Sequence, residues 1–263
     1  MLKQRLITAA ILIPLIVWVL LTTSTQVLVG IMSVFVLIGA WEWSALCGWQ
    51  AKLIRGIYVI FIGLLLLVSY LLQNYIVYSL IGAGIWWLVA LYWTWMYQRQ
   101  HDLLPTSPMI KALLGIIILV PAWIALLLLR DQYGGQSVLF LFVLIWTADS
   151  GAYFAGKQWG KTKLADKVSP GKTWEGVSGA LVMGLAIALG YALLQSISLL
   201  FVLLGLLTIL VSILGDLLES MFKRQMNIKD SGNILPGHGG VLDRIDSLTS
   251  AAPIFVGGLI LFF

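Results

Sequence analysis

Ile110-Lys111-Ala-Leu-Leu-Gly115-Ile-Ile-Ile-Leu-Val-Pro121-Ala-Trp123-Ile-Ala-Leu-Leu-Leu-Leu129 is a run of twenty residues with a single charge, placed at its first turn. As a helix rising 1.5 Å per residue it would cover about 30 Å, the thickness of a bilayer's hydrocarbon core. The same pattern recurs outward in both directions. Apolar stretches fall at roughly 6 to 22, 27 to 46, 54 to 72, 75 to 97, 110 to 129, 136 to 155, 175 to 195, 197 to 218 and 248 to 263. With 60% hydrophobic residues, 10% charged residues and a mean hydropathy of +1.00, the chain has more apolar surface than a water-soluble domain could hide. The expected fold is all-α: a polytopic membrane protein of about nine helices. The first run has no small-residue cleavage site and reads as a retained anchor.

Orientation follows from the basic residues. With a cytoplasmic N-terminus and nine crossings, fifteen of the sixteen Lys and Arg residues fall on the cytoplasmic side, and only Arg130 lies opposite. The net charge of +5 is then a one-sided membrane property and gives no reason to invoke nucleic acid. The single cysteine, Cys47, excludes an intrachain disulfide and reads as a small core residue. Tryptophans such as Trp41, Trp43, Trp86, Trp87, Trp93 and Trp95 suit interface belts.

The polar residues are distributed unevenly. Residues 1–130 are nearly bare of motifs and read as scaffold and lipid-facing wall, whereas 131–263 carry nine of the eleven acids, eight of them in or beside three cytoplasmic segments. Topology requires no carboxylates, and each charge held near hydrocarbon costs about 2.5 kcal/mol or more. These acids therefore mark a site.

Its first part is Asp149, with Ser150, at the end of the sixth run. Gly151 and Gly156 nearby read as helix-packing positions. Gly156-Lys-Gln-Trp-Gly160-Lys161-Thr162 has one residue too few between its glycines for a nucleotide P-loop and follows a membrane helix where that motif needs a strand. Ser169-Pro170-Gly171-Lys172-Thr173-Trp174-Glu175-Gly176 places a turn, a lysine and a hydroxyl ahead of a helix whose first amides point outward, which suits phosphate; Thr173 also suits a helix cap. Asp216, Ser220, Lys223 and Arg224 share a helical face, with Glu219 beside it. Asp216 near a helix C-terminus opposes the dipole, which favours a cation as its partner. Lys229 and Asp230 follow. Pro236-Gly237-His238-Gly239-Gly240 cannot be helical, and Asp243 and Asp246 then lie on one face of the turn into the last helix, with Arg244 to the side.

Oxygen ligands without thiolate or a histidine pair select a hard cation, and magnesium commonly takes one or two carboxylates with phosphate and water completing its shell. His101 and His238 are the only histidines and lie far apart in the sequence, so His238 reads as a phosphate donor or orienting group. Carboxylates, lysines, arginines and a glycine-rich loop together describe phosphoryl or nucleotidyl transfer.

The pattern Ser220-x-x-Lys223-Arg224-x4-Lys229-Asp230-x-Gly232-x-x-Leu235-Pro236-x-His238-Gly239-Gly240-x-x-Asp243-Arg244-x-Asp246 resembles the signature of the phosphatidate cytidylyltransferases, or CDP-diacylglycerol synthases. The resemblance extends to Asp149-Ser150, to Ser169 through Gly176 and to Gly215-Asp216, about the second half of the chain. It implies a magnesium-dependent reaction, with or without a second cation, in which CTP and phosphatidic acid give CDP-diacylglycerol and pyrophosphate. It further implies a multi-pass enzyme of the inner membrane, its site facing the cytoplasm among membrane lipids, and a homodimer. By this similarity Asp216, Asp243 and Asp246 hold metal, and Lys172 and Arg244 join Asp243 and Asp246 in catalysis. Asp149, Thr173, Ser220, Lys223, Arg224, Lys229, Asp230, His238, Gly239 and Gly240 contact substrate. Three rivals fit less well. A CDP-alcohol phosphotransferase needs an Asp-Gly-x-x-Ala-Arg pattern that is absent, a CTP-using lipid kinase is disfavoured by the signature alone, and a transporter would spread polar residues over more helices.

Overall fold

A computed structural model describes residues 13–72, 76–99, 103–234 and 239–263. The chain is almost wholly helical: α1 (Ile13–Thr22), α2 (Thr25–Leu46), α3 (Lys52–Leu71), α4 (Ile76–Gln98), α5 (Pro108–Trp159), α6 (Trp174–Leu194), α7 (Leu200–Gln225) and α8 (Leu242–Phe262). Seven of these, α2 to α8, are long and apolar enough to cross a membrane. The first apolar run falls partly outside the described residues.

The run quoted at the outset forms the first half of α5, whose residues from Ile118 to Leu129 are buried without interruption. A helix buried all round belongs at the centre of a bundle, and α5 packs against α2, α3, α4, α6 and α8. It spans 52 residues, far more than one crossing requires. Its helical geometry breaks at Gly134, with φ 78° and ψ 175°, backbone angles open essentially only to glycine. The two halves on either side correspond to the fifth and sixth apolar runs. Beside this break Arg130 donates to the carbonyls of Leu20 (2.7 Å) and Thr23, where α1 ends. By contrast α3 is peripheral: it buries only Tyr58, Ile62 and Leu66, one stripe at four-residue spacing, while Leu53, Ile57, Ile60 and Leu64 point outward.

Three expectations need correction. The turn expected at Ser169-Pro170-Gly171 is strand: β1 (Lys163–Ala165) and β2 (Ser169–Thr173) form a short antiparallel hairpin between helices, with Lys163 opposite Thr173. Trp43, Trp86 and Trp87 are core residues, not belt residues. The last two helices also reach further than hydropathy indicated: α7 continues to Gln225 and α8 begins at Leu242. Both extensions carry charged residues, and charge is what the hydropathy signal discounts. Cys47 is a buried core residue, and burial pushes its thiol up to about 12, which leaves it inert as a nucleophile.

The α5–α6 contact explains two of the glycines. A Cβ on Gly151 would lie 2.6 Å from the Gly179 carbonyl oxygen, and one on Gly179 would lie 2.4 Å from the Ala155 methyl. Backbone meets backbone there, the close approach that small residues permit between membrane helices.

Candidate active site

Four helix ends and the hairpin meet around a pocket of about 330 Å³. Asp149 and Tyr153 come from the last turns of α5, Lys172 and Thr173 from β2 at the start of α6, Asp216 from α7, and Asp243, Arg244 and Asp246 from the first two turns of α8. Residues almost a hundred positions apart in sequence thus face one space. The volume is within the range of small-molecule sites.

The α6 end is built by local rules. Thr173, extended at φ −133° and ψ 157°, accepts from the Gly176 amide at 3.1 Å through its hydroxyl and so caps the helix. Glu175 reaches back to the Thr162 amide at 3.1 and 3.2 Å and ties the hairpin's entry to the helix it precedes. Sequence reasoning took Ser169-Pro170-Gly171 for a turn; it is part of strand β2, which brings Lys172 to the pocket. Thr173→Ala should lower stability by about 1 kcal/mol through loss of this cap. The unfolding midpoint in detergent measures it.

Lys172 meets Asp216 at 2.7 Å, with both side chains partly accessible. Lys172 is thus an ion-pair partner of Asp216 on one oxygen, and Ser220 Oγ donates to the other at 3.2 Å. Lys223 is more enclosed. Its ammonium lies 2.7 Å from Asp243 Oδ1 and 3.1 Å from Glu219 Oε1, and all three side chains are under 10% exposed. Asp243 Oδ2 accepts from the amides of Ser231 (2.9 Å) and Gly240 (2.8 Å), so both of its oxygens are engaged. Asp246 accepts from the Ser247 amide at 2.7 Å and lies in the field of Asp216, Lys223 and Lys172. Asp149 is within Coulombic reach of Asp216, Lys172 and Arg244.

The remaining candidates divide. Gly239 (φ 81°) and Gly240 form the wall beside Asp243; a Cβ on Gly239 would lie 2.7 Å from Asp243 Oδ2 and 3.4 Å from the Asp230 Cβ. Asp230 and Lys229 are exposed on the approach to that wall. Arg224 turns away from the pocket and donates to the carbonyls of Val168 (3.1 Å), at the hairpin, and Ile228 (3.4 Å). The structure therefore ties it to loop geometry. His238 lies outside the described residues.

The donor set suits a hard cation: carboxylate oxygens, no thiolate, phosphate-binding cations alongside. Among the described residues no three of His, Cys, Asp and Glu are gathered closely enough to hold an ion by themselves. That is compatible with magnesium, which is commonly held by one or two carboxylates and completed by substrate phosphates and water.

Sequence reasoning missed Glu42. It lies on α2 in the half read as scaffold, is 2% exposed, and accepts from the amides of Val241 (3.1 Å) and Leu242 (2.7 Å) and from the Ser231 hydroxyl (3.4 Å). Glu42 sits in an apolar, aromatic run with no motif around it, so only its being an acid there could have drawn notice.

A polar pocket lined by acids and cations at the ends of membrane helices defines the class, an integral-membrane enzyme acting on phosphates. The chain belongs to the cytidylyltransferase family, whose model matches residues 3–262. It is 37% identical over 280 residues to the phosphatidate cytidylyltransferase of Haemophilus influenzae, covering 97% of each chain. It is 42% identical over 271 residues to that of Pseudomonas aeruginosa, covering 97% of this chain and 96% of the other. With that of Bacillus subtilis it shares 47% identity over 135 residues, half of each chain.

Proposed function

We propose that this protein is a phosphatidate cytidylyltransferase: it transfers CMP from CTP to phosphatidic acid and releases CDP-diacylglycerol and pyrophosphate. The observation that carries the reading is the meeting of Asp149, Lys172, Asp216, Asp243, Arg244 and Asp246 around one pocket at the ends of membrane helices, in a chain similar along its length to enzymes of that name. A lipid phosphate can reach such a place from the bilayer and CTP from water. The charge count supports a cytoplasmic position for this end of the bundle, with nine crossings if α1 spans and α5 crosses twice, and the family resemblance supports the inner membrane. The family resemblance adds a homodimer.

The chemistry needs little covalent help from the protein. A phosphatidate oxygen bonds to the α-phosphorus of CTP, and the bond from that phosphorus to the bridging oxygen breaks as pyrophosphate leaves with the electron pair. Lys172 and Arg244 are the accessible cations of the pocket, suited to orient the phosphates and offset the charge that builds on the leaving group. Lys223, enclosed between Glu219 and Asp243, fixes the carboxylates and does not itself reach out for substrate. Asp216, Asp243 and Asp246 would hold magnesium; each already accepts donors, Asp216 from Lys172 and Ser220, Asp243 from Lys223, Ser231 and Gly240, and Asp246 from the Ser247 amide, which the ion would share or displace. When bound, magnesium would polarise the phosphates and neutralise part of the triphosphate's charge.

The test is CTP labelled on its α-phosphate, supplied with phosphatidic acid to purified protein in detergent. Label should appear on the lipid as CMP. Label that remains wholly in nucleotide, with a γ-phosphate found on the lipid instead, would identify a kinase and end this reading. Magnesium removal by chelation should abolish product, and its return should restore it. Undiminished turnover in chelator would exclude the ion.

A further inference from the structure

α8 begins without a cap of its own. Its N-cap residue is Val241, whose side chain accepts nothing, and the first amides of any helix have no partner within the helix. Glu42 fills that role from about two hundred positions away: Oε1 takes the Val241 amide and Oε2 the Leu242 amide. A carboxylate at this end also meets the positive pole of the helix dipole. Its third bond, from the Ser231 hydroxyl, reaches the segment whose amide binds Asp243 Oδ2. Glu42 and Asp243 thus hold the same two pieces of backbone, one from below and one from the pocket side.

The glycines nearby are shaped by the same carboxylate. A Cβ on Gly232 would lie 2.2 Å from Glu42 Oε1, and one on Gly240 would lie 2.6 Å from both Glu42 oxygens. Their lack of a side chain makes room for Glu42, and this accounts for part of a glycine-rich segment that the sequence suggested was shaped for ligand. Arg55, fixed by Ser44 Oγ (2.9 Å) and the Trp41 carbonyl (2.7 Å), stands within Coulombic reach of Glu42 and offsets its charge.

We propose that Glu42 is a positioning residue for the reaction: by capping α8 and bracing Ser231 it holds the turn that carries Asp243, Arg244 and Asp246. The proposal rests on the functional reading above for its kinetic arm only. Glu42→Gln retains size but turns an amide donor toward N–H groups. Gly232→Ala pushes the native carboxylate off its partners from the other side. Both variants of the full chain should lose about 100-fold in kcat, as small misplacements of reacting groups do, with KM for CTP and for phosphatidic acid changed less than about threefold because the pocket's accessible cations are untouched. Hydrogen exchange should speed by about tenfold or more in residues 239–243 while the centre of α5 keeps its protection. A folded variant with kcat within about threefold of wild type overturns the proposal. So does protection lost evenly through the bundle, or failure of both variants to fold, since either makes Glu42 a general stabiliser. If wild-type protein makes no CDP-diacylglycerol, the functional reading fails on its own, and the exchange measurement still decides the role of Glu42.

Discussion

Asp243→Asn is expected to bring pyrophosphate release from CTP and phosphatidic acid down to background, a loss of about 1,000-fold or more. The size follows from how many partners one carboxylate serves. Oδ1 holds the Lys223 ammonium at 2.7 Å, and Oδ2 holds the Ser231 and Gly240 amides at 2.9 and 2.8 Å. An asparagine has one oxygen for these two sets of donors. Its NH2 must face either the ammonium or the two amides, and the donor left without an acceptor in a buried place is costly. Charge is lost as well, so Lys223 keeps only Glu219 as a near partner. Pyrophosphate release by purified protein, normalised to folded material, checks the outcome. Full activity in this variant would refute any role for Asp243 in the reaction.

Lys223→Met should be the most destabilising change among the polar residues, by about 3–5 kcal/mol, and should abolish activity with it. Methionine matches the length of the lysine stem, so packing is nearly retained and the effect isolates the charge. Without the ammonium, Glu219 and Asp243 face one another in a place where both are under 10% exposed, with Asp246 close by. Unfolding in detergent measures the first effect and product formation the second. A variant as stable as wild type would mean that these acids are stabilised by something other than Lys223.

The bundle was legible in the sequence because hydropathy over twenty residues is a direct statement about hydrocarbon. The span boundaries of α2, α3, α4 and α6 fall within two residues or so of those expected. Hydropathy failed where a helix leaves hydrocarbon without ending: the last turns of α7 carry Glu219, Lys223 and Arg224, which only the shared face of Asp216, Ser220, Lys223 and Arg224 marked as helical, and the first two turns of α8 carry Asp243 and Asp246, which read as a turn. The hairpin was hidden for a related reason. Ser169-Pro170-Gly171 reads as a turn by composition, and only its pairing with Lys163–Ala165 makes it a strand.

Of the site residues, those in the second half were visible because charges in an apolar chain stand out. Their partners were not. The Lys172–Asp216 and Lys223–Asp243 pairs join segments 44 and 20 positions apart, and no local rule predicts them. Arg224 shares a helical face with Asp216 in sequence, yet the end of α7 lets it reach the hairpin carbonyl of Val168. Glu42 escaped altogether, since a helix cap donated by another helix leaves no trace beside the helix that it caps.

That long-range cap has a consequence for biogenesis. During translation α2 enters the membrane long before Val241 and Leu242 are synthesised, so its acid must wait with Arg55 as its nearest counter-charge until the final helix arrives. A chain truncated ahead of α8 would leave this acid without the amides that receive it. Completion of the polypeptide and maturation of its chemistry are in this way the same event.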